Sequence, residues 1–294
     1  MQRLFIAGCG YTGERVATTV LARGWEVIVQ VRDEEKAARL RQRGLSVICC
    51  AMDRLEEVPS LLLDGHCLLY SIPPQGGGSI DLRARAFCAA LERDRLVPRR
   101  IVYLSATSVY GDTGGAAVTE TSPTEPASAM GKRRLDAEAR FHEFAAHHGI
   151  PLVILRIAGI YGPGRLPLMQ ITQGQPLLRE EEARPSNRIH IDDLVQVCAT
   201  VLETGSGVYN ISDGAPSSMT SYFNACADAL GLPRQPQVSL DEARRTMPPL
   251  LFNYFVESRV VDNSRMLRDL GIVLRYPDMV SGVAAAALQT PKTC

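Results

Sequence analysis

Six residues near the N-terminus, Gly8-Cys9-Gly10-Tyr11-Thr12-Gly13, carry the spacing GxGxxG between a short apolar run and a helical pattern. In that setting the glycines let the backbone turn tightly and approach a pyrophosphate, while the unpaired N–H groups of the helix start face the anion. Glycines that merely turn a strand into a helix would give the same letters. After the next apolar run the chain reads Val29-Gln30-Val31-Arg32-Asp33. An arginine there offers a planar fork to the 2′-phosphate of NADP, which a carboxylate in the same space would repel. Asp33 lies about 20 residues beyond the last glycine, so a contact from it to the ribose hydroxyls of NAD stays open, as does a solvated loop role for both residues. NADP is the expected cofactor and NAD the alternative.

A turn of this kind needs a parallel sheet to hold it. The first hundred residues alternate short β-branched runs with helical patterns, the rhythm of βαβ units. Strands are predicted over 4–7, 27–31, 46–50, 67–71, 100–104 and 152–157, and helices over 14–23, 34–42, 81–94 and 132–148. The loop 73–78, PPQGGG, is too rich in glycine and proline to be regular. Beyond Tyr161 the alternation breaks, with further helices expected over 190–203, 219–230 and 264–270 and a strand over 207–211. The expected fold class is α/β, a Rossmann doubly wound parallel sheet with a smaller C-terminal substrate lobe. Residues 1–164 are expected to form the NAD(P)-binding domain and 165–294 the lobe, with 188–212 returning to the first domain.

The 294 residues carry 32 basic and 32 acidic side chains, a formal net charge of zero, which leaves no bulk electrostatic case for nucleic acid or an anionic membrane surface. Eight cysteines form no CxxC pair and no zinc-ribbon spacing, so no metal is expected and they read as small buried hydrophobes in a reducing compartment. The apolar run at 4–8 is too short for a signal peptide and none approaches membrane length, so a cytoplasmic location is expected.

The chain resembles the extended short-chain dehydrogenase/reductase superfamily over nearly its whole length. Four segments carry the resemblance: the glycine turn, Leu104-Ser105-Ala106-Thr107-Ser108-Val109-Tyr110-Gly111-Asp112, Arg156-Ile157-Ala158-Gly159-Ile160-Tyr161-Gly162-Pro163-Gly164, and Arg188-Ile189-His190-Ile191-Asp192-Asp193-Leu194. The segment YGDTGGAAVTETSP, with RRLDAEA downstream, looks most like the atypical, YeeZ-like group labelled NAD-dependent epimerase/dehydratase. The resemblance implies cofactor contacts from Gly8, Gly10, Tyr11, Thr12 and Gly13, from Arg32, from Met52 and Asp53 beside the adenine, and from Ser71, Ile72 and Pro73 after the fourth strand. In UDP-galactose-epimerase relatives the acidic NAD residue would fall on Val31, which supports NADP. Many members pair through the helices matching 81–94 and 132–148; Phe87, Leu91, Leu135 and Phe141 could face such a homodimer partner or the sheet.

Typical members also place a Ser or Thr three residues before the Val of VYG and a Tyr-x-x-x-Lys at the start of the next long helix. Here those positions hold Ala106, Met130 and Arg134. No tyrosine occurs between Tyr110 and Tyr161, and none of the three lysines, Lys36, Lys132 and Lys292, follows a tyrosine by four residues, so no shift of register restores the motif. Met130 cannot transfer a proton, and Arg134 supplies charge without acting as a base. Losing a positioned acid/base forfeits roughly 10²- to 10⁴-fold in rate. Ser105, Thr107 and Ser108 surround the place of the substrate oxygen and could polarise it or relay a proton; capping the backbone is their other reading. His190, beside Asp192 and Asp193, reads as a helix N-cap, with a place near the substrate as its other reading. Arg165, Arg184 and Arg188 could meet a phosphate or carboxylate of the substrate, or be solvated. Two functions follow: an NADP-dependent epimerase, dehydratase or reductase acting on a small molecule with Ser105, Thr107 and Arg134 as its replacement groups, or an NADP-binding sensor that transfers no hydride.

Overall fold

The computed structural model describes residues 2–53 and 64–290. Lys292 and Cys294 lie outside them. Strands β1 (Arg3–Ala7), β2 (Glu26–Val31), β3 (Ser46–Cys49), β4 (Cys67–Tyr70) and β5 (Arg100–Ala106) are followed by β6 (Ala117–Val118), β7 (Leu152–Ile157), β8 (Gly159–Tyr161), β9 (Leu177–Leu178), β10 (Pro185–Ser186), β11 (Arg188–His190) and β12 (Gly207–Ile211). Helices α1 (Tyr11–Leu21), α2 (Glu34–Gln42), α3 (Leu82–Arg93), α4 (Ala129–His148), α5 (Leu168–Thr172) and α6 (Ile191–Val201) interleave with them, and α7 (Met219–Leu230), α8 (Leu240–Thr246), α9 (Pro249–Val256), α10 (Ser264–Leu270) and α11 (Met279–Leu288) follow.

Seven strands form one parallel sheet in the order β12-β7-β5-β4-β1-β2-β3. Runs such as LFIA in β1 and CLLY in β4 are apolar throughout because both sheet faces are covered. Alternation divides them between two cores. Leu4, Ile6, Val29, Leu69, Val102 and Leu155 pack toward α1, α6 and α10, whereas Phe5, Leu68, Tyr70, Ile101, Tyr103 and Ile154 pack toward α3 and α4. A third core, with Tyr161, Leu178, Tyr222, Cys226, Met279 and Val283, belongs to a smaller C-terminal lobe. This is the doubly wound α/β architecture, and α6 and β12 rejoin the main sheet after the lobe has begun.

Boundaries shift for local reasons. Helix α1 starts at Tyr11, inside the glycine motif, with Gly10 as its N-cap. Helix α4 starts at Ala129 because the Ser128 hydroxyl accepts a hydrogen bond from Gly131 N at 3.1 Å. Phe87, Leu91 and Phe141 are fully buried against the sheet, so the inward reading holds for these three, while Leu135 is half-buried on Val109 and Tyr110. Five cysteines are buried, Cys49 and Cys50 are half-buried, and all seven in the described residues are free thiols. No helix among those residues is long and apolar enough to cross a membrane.

A buried polar network joins α4 to the strands. Glu138 accepts from Ser105 Oγ at 2.5 Å and pairs with Arg156 Nη2 at 2.8 Å; Arg156 Nη1 also donates to Tyr110 Oη at 3.0 Å, and Tyr110 Oη donates to Asn210 Oδ1 at 2.7 Å. Both charged partners are under a tenth exposed, so removing one leaves the other without water or counter-charge. Glu138→Ala is expected to lower unfolding stability by about 3–5 kcal/mol in urea titrations. Arg234→Ala, which breaks a solvent-exposed pair with Asp228, should leave the urea midpoint essentially unchanged.

Candidate cofactor and substrate site

Strands β1 and β4 are neighbours whose following connections run to opposite faces, so a crevice opens beyond their carboxyl ends. The glycine turn sits there. Gly8 has φ of +83°, and a Cβ on it would lie 2.7 Å from Ile72 Cγ1. A Cβ on Gly13 would meet Ile6 Cγ2 at 3.1 Å, because α1 packs directly on β1. Gly10 is the opposite case: it is exposed, nothing stands nearer to its Cβ position than Gly8 O at 4.0 Å, and no side chain caps the helix it begins. Close backbone approach is therefore open at Gly10, in front of the first-turn N–H groups of α1.

Three residues hold this turn. Ser71 Oγ donates to Gly8 O at 2.6 Å, Ile72 packs over Gly8, and the buried Gln30 accepts from Gly8 N at 3.0 Å while donating to Cys50 O at 2.5 Å. Gln30 was missed from sequence, although a lone amide inside the apolar run of β2 was its signal. Tyr11 donates to Pro163 O at 2.9 Å and lies under the guanidinium of Arg15 at 3.9 Å, which ties the turn to the loop after β8. Thr12 is buried in the first turn of α1.

The rim is polar. Arg32 is exposed at the end of β2 and stands 3.8 Å from Asp53; Asp53 is also paired with Arg83, whose Nη1 donates to Pro73 O at 3.0 Å. Asp53 is thus engaged by two guanidinium groups. Met52 is 2% exposed and belongs to the core beside Phe5 and Ile72. Asp33 accepts from Lys36 N at 2.7 Å as the N-cap of α2, which assigns its carboxylate a local task. Arg133, also missed from sequence, donates to Gly77 O and Gly78 O at 3.1 and 2.9 Å and clamps the glycine loop that follows β4.

The residues expected to carry proton chemistry are separated by their hydrogen bonds. Ala106 closes β5, and Thr107 opens a short 3-10 turn over Thr107–Tyr110. Ser105 is 3% exposed and gives its hydroxyl to Glu138, and Arg134 Nη1 donates to Leu104 O at 2.8 Å and Tyr103 Oη at 3.4 Å. Both groups thus tie α4 to β5. Ser108 Oγ is buried without a partner among the described residues. Met130, 58% exposed, occupies the first turn of α4, and Gly131 lets that turn touch Ser108, since a Cβ there would sit 2.6 Å from Ser108 O. Lys132 is exposed and lines an outer groove with Glu125, Leu135 and Asp136. His190 caps α6, its Nδ1 accepting from Asp192 N at 3.2 Å, and burial holds its imidazole below the ordinary range.

Farther along the carboxyl ends of the strands, Asp213 follows β12. It is 4% exposed, its Oδ1 accepts from Ala215 N at 3.1 Å, and burial pushes its carboxyl up to about 7. A carboxyl raised in the folded state stabilises it fully below the unfolded range and loses that contribution as pH rises through the folded value. Wild-type stability is therefore expected to fall more steeply than that of Asp213→Asn between about pH 4 and pH 7, measured by urea midpoints.

Comparisons with known proteins agree on the fold and the family. The model of the NAD dependent epimerase/dehydratase family matches residues 83–212. The chain is 28% identical to protein YeeZ of Escherichia coli K12, across 95% of this chain and 97% of that one. A functionally unknown conserved protein from Silicibacter pomeroyi DSS is 32% identical and superposes with a TM-score of 0.83 over 99% of both chains. The UDP-glucose 4-epimerase of Thermus thermophilus, solved in complex with NAD, superposes with a TM-score of 0.77 over 98% of both chains at 18% identity, a likeness of fold. With its parallel seven-stranded sheet and its glycine turn at the β1–β4 crevice, the chain has the extended short-chain dehydrogenase/reductase fold, and its residues 83–212 match the NAD dependent epimerase/dehydratase family.

Proposed function

We propose that this protein binds NADP(H) in the β1–β4 crevice and acts on a small molecule held between the sheet and the smaller lobe, without the serine–tyrosine–lysine set of its superfamily. The observation that carries the cofactor reading is the open backbone at Gly10 before the uncapped start of α1, where a substituted residue would stand between the turn and a pyrophosphate. Arg32 supports the phosphorylated cofactor. It is exposed, and its 3.8 Å contact with Asp53 is the weak kind that a 2′-phosphate can replace. Ser71, Ile72 and Pro73 follow β4 along the adjoining edge, and Asp53, beyond the end of β3, borders it. Bound there, a nicotinamide dinucleotide would supply hydride transfer.

What this chain's own residues do is mostly positioning. Arg134 keeps α4 against β5, and Met130 leaves no phenol at the head of that helix. Thr107 and the unpartnered Ser108 hydroxyl are then the groups best placed to polarise a substrate oxygen, because Ser105 is already bonded to Glu138. The relatives' own names include UDP-glucose, UDP-glucuronic acid and UDP-N-acetylglucosamine epimerases, which supports a small-molecule substrate for the cleft. A second reading, a cofactor-dependent sensor that transfers no hydride, is favoured by Met130 and Ala106 together.

Calorimetry tests the cofactor. NADPH should bind more tightly than NADH, and Arg32→Glu should weaken NADPH by about tenfold or more while sparing NADH. Equal NADPH affinity in the variant would remove the 2′-phosphate assignment. Gly10→Val should abolish binding of both cofactors while the protein stays folded. NADPH consumption with a broad carbonyl panel, lost in Thr107→Val or Ser108→Ala with cofactor affinity intact, would establish catalysis; no turnover with any of them would favour the sensor.

A further inference from the structure

Arg188 is a charge whose surroundings do not account for it. It is 5% exposed, on β11, in register with Gly159 of β8. Its place is the carboxyl end of the main sheet: Ala158 N, just past β7, donates to Ile211 O of β12 at 2.9 Å, and Asp213 N donates to Arg188 O at 2.7 Å. No carboxylate lies within ion-pair distance of the guanidinium among the described residues. Its donors go instead to Ser217 O at 3.2 Å, Ser217 Oγ at 2.9 Å and the sulfur of Met219 at 2.8 Å, and the ring of Tyr222 lies 4.3 Å from its central carbon. A thioether is a weak acceptor and a ring face a partial one, so a buried cation is left short of counter-charge.

Asp213, the nearest candidate for that counter-charge, does not fill the role. Its Oδ1 is used by Ala215 N, and its Oδ2 is buried without a partner among the described residues. The groups around it are Arg188 on β11, Tyr161 on β8 and Asp278 before α11. Burial and Asp278 raise its carboxyl while Arg188 lowers it, and the balance at about 7 leaves much of it as the neutral acid near neutrality. Tyr254 of α9, an exposed residue, is among the groups that act electrostatically on Arg188 and Tyr222.

The geometry points to Arg188 and Asp213 as a subsite for a carboxylate group of the small molecule, the anion taking the guanidinium in place of the Met219 sulfur and lying beside the free oxygen of Asp213. This deepens the preceding proposal, since it rests on reading the cleft as a small-molecule site, but it does not require hydride transfer. One guanidinium matches one negative charge. A protonated Asp213 can donate to a carboxylate oxygen, whereas a phosphate dianion would bring a second charge beside Asp213 and Asp278 that nothing there balances.

The test titrates the full chain, with and without NADPH, using sodium pyruvate, sodium acetate and inorganic phosphate, followed by NMR line broadening of the small molecules. Pyruvate and acetate are expected to bind near pH 6, and phosphate is expected to bind about tenfold or more weakly than pyruvate when the two are compared at about pH 8, where phosphate is the dianion. Arg188→Gln should weaken pyruvate by about tenfold or more, and Arg188→Lys should recover part of it. Pyruvate affinity should fall as pH rises through about 7 in the wild type, because Asp213 then loses its proton and repels the anion, and should be flat with pH in Asp213→Asn. Unchanged pyruvate binding in Arg188→Gln, preference for phosphate, or no carboxylate binding to the wild type would each overturn the assignment. Should Arg188→Gln fail to fold, an Asp213→Asn profile with the wild-type pH dependence would overturn it instead. Absence of NADPH binding with pyruvate binding intact would count against the cofactor reading alone and leave this subsite standing.

Discussion

The Glu138–Arg156 pair is the contact on which the arrangement of the sheet's carboxyl edge depends. Two charges are withdrawn from water at the junction of α4, β5 and β7, and each is tolerable only because the other, together with Ser105 and Tyr110, meets it at hydrogen-bond distance. The network reaches β12 through Asn210, whose backbone N donates to Glu120 at 2.8 Å. Helix α4 is thereby held at one height against the sheet, and that height sets where Met130, Arg134 and the turn over Thr107–Tyr110 come to lie.

Rigidity on that side contrasts with the open backbone at the glycine turn. Around Gly10 the chain leaves space, while Gln30, Ser71 and Ile72 fix the turn from behind through two hydrogen bonds and a packing contact. Such a site is preorganised: the donors are already oriented, so an anion need not order them. The polar rim of Arg32, Asp53 and Arg83 is tied by pairs of unequal exposure, with Arg83 nearly enclosed and Arg32 mostly in solvent. Of the two, Arg32 is the one free to exchange partners.

Local signals announced much of this. Alternating runs, Gly24, and the PPQGGG loop were enough to expect a parallel sheet, because βαβ units repeat a pattern that depends on near neighbours in the chain. The residues of α11 were passed over, although Asp278 capping Ser281 N ahead of an alanine-rich run is a readable helix start. Ser105 and Arg134 were expected at a reacting centre for their residue types. Their hydroxyl and guanidinium face Glu138, 33 positions away, and the Leu104 carbonyl, 30 positions away, and no spacing rule indicates such partners.

By itself the sequence determined the α/β class, the glycine turn and a methionine, Met130, in the first turn of α4, since each rests on residue identity and short-range geometry. Tertiary structure alone decided which polar groups are already bonded and which are left without a partner. Gln30 became a brace, Asp33 a helix cap, and Arg188, which could have been solvated, a buried cation with no carboxylate partner among the described residues. The physical reason is that burial and hydrogen-bond satisfaction are properties of packed neighbours, many of them distant in the chain, and the charge state of a side chain follows from those neighbours rather than from its type.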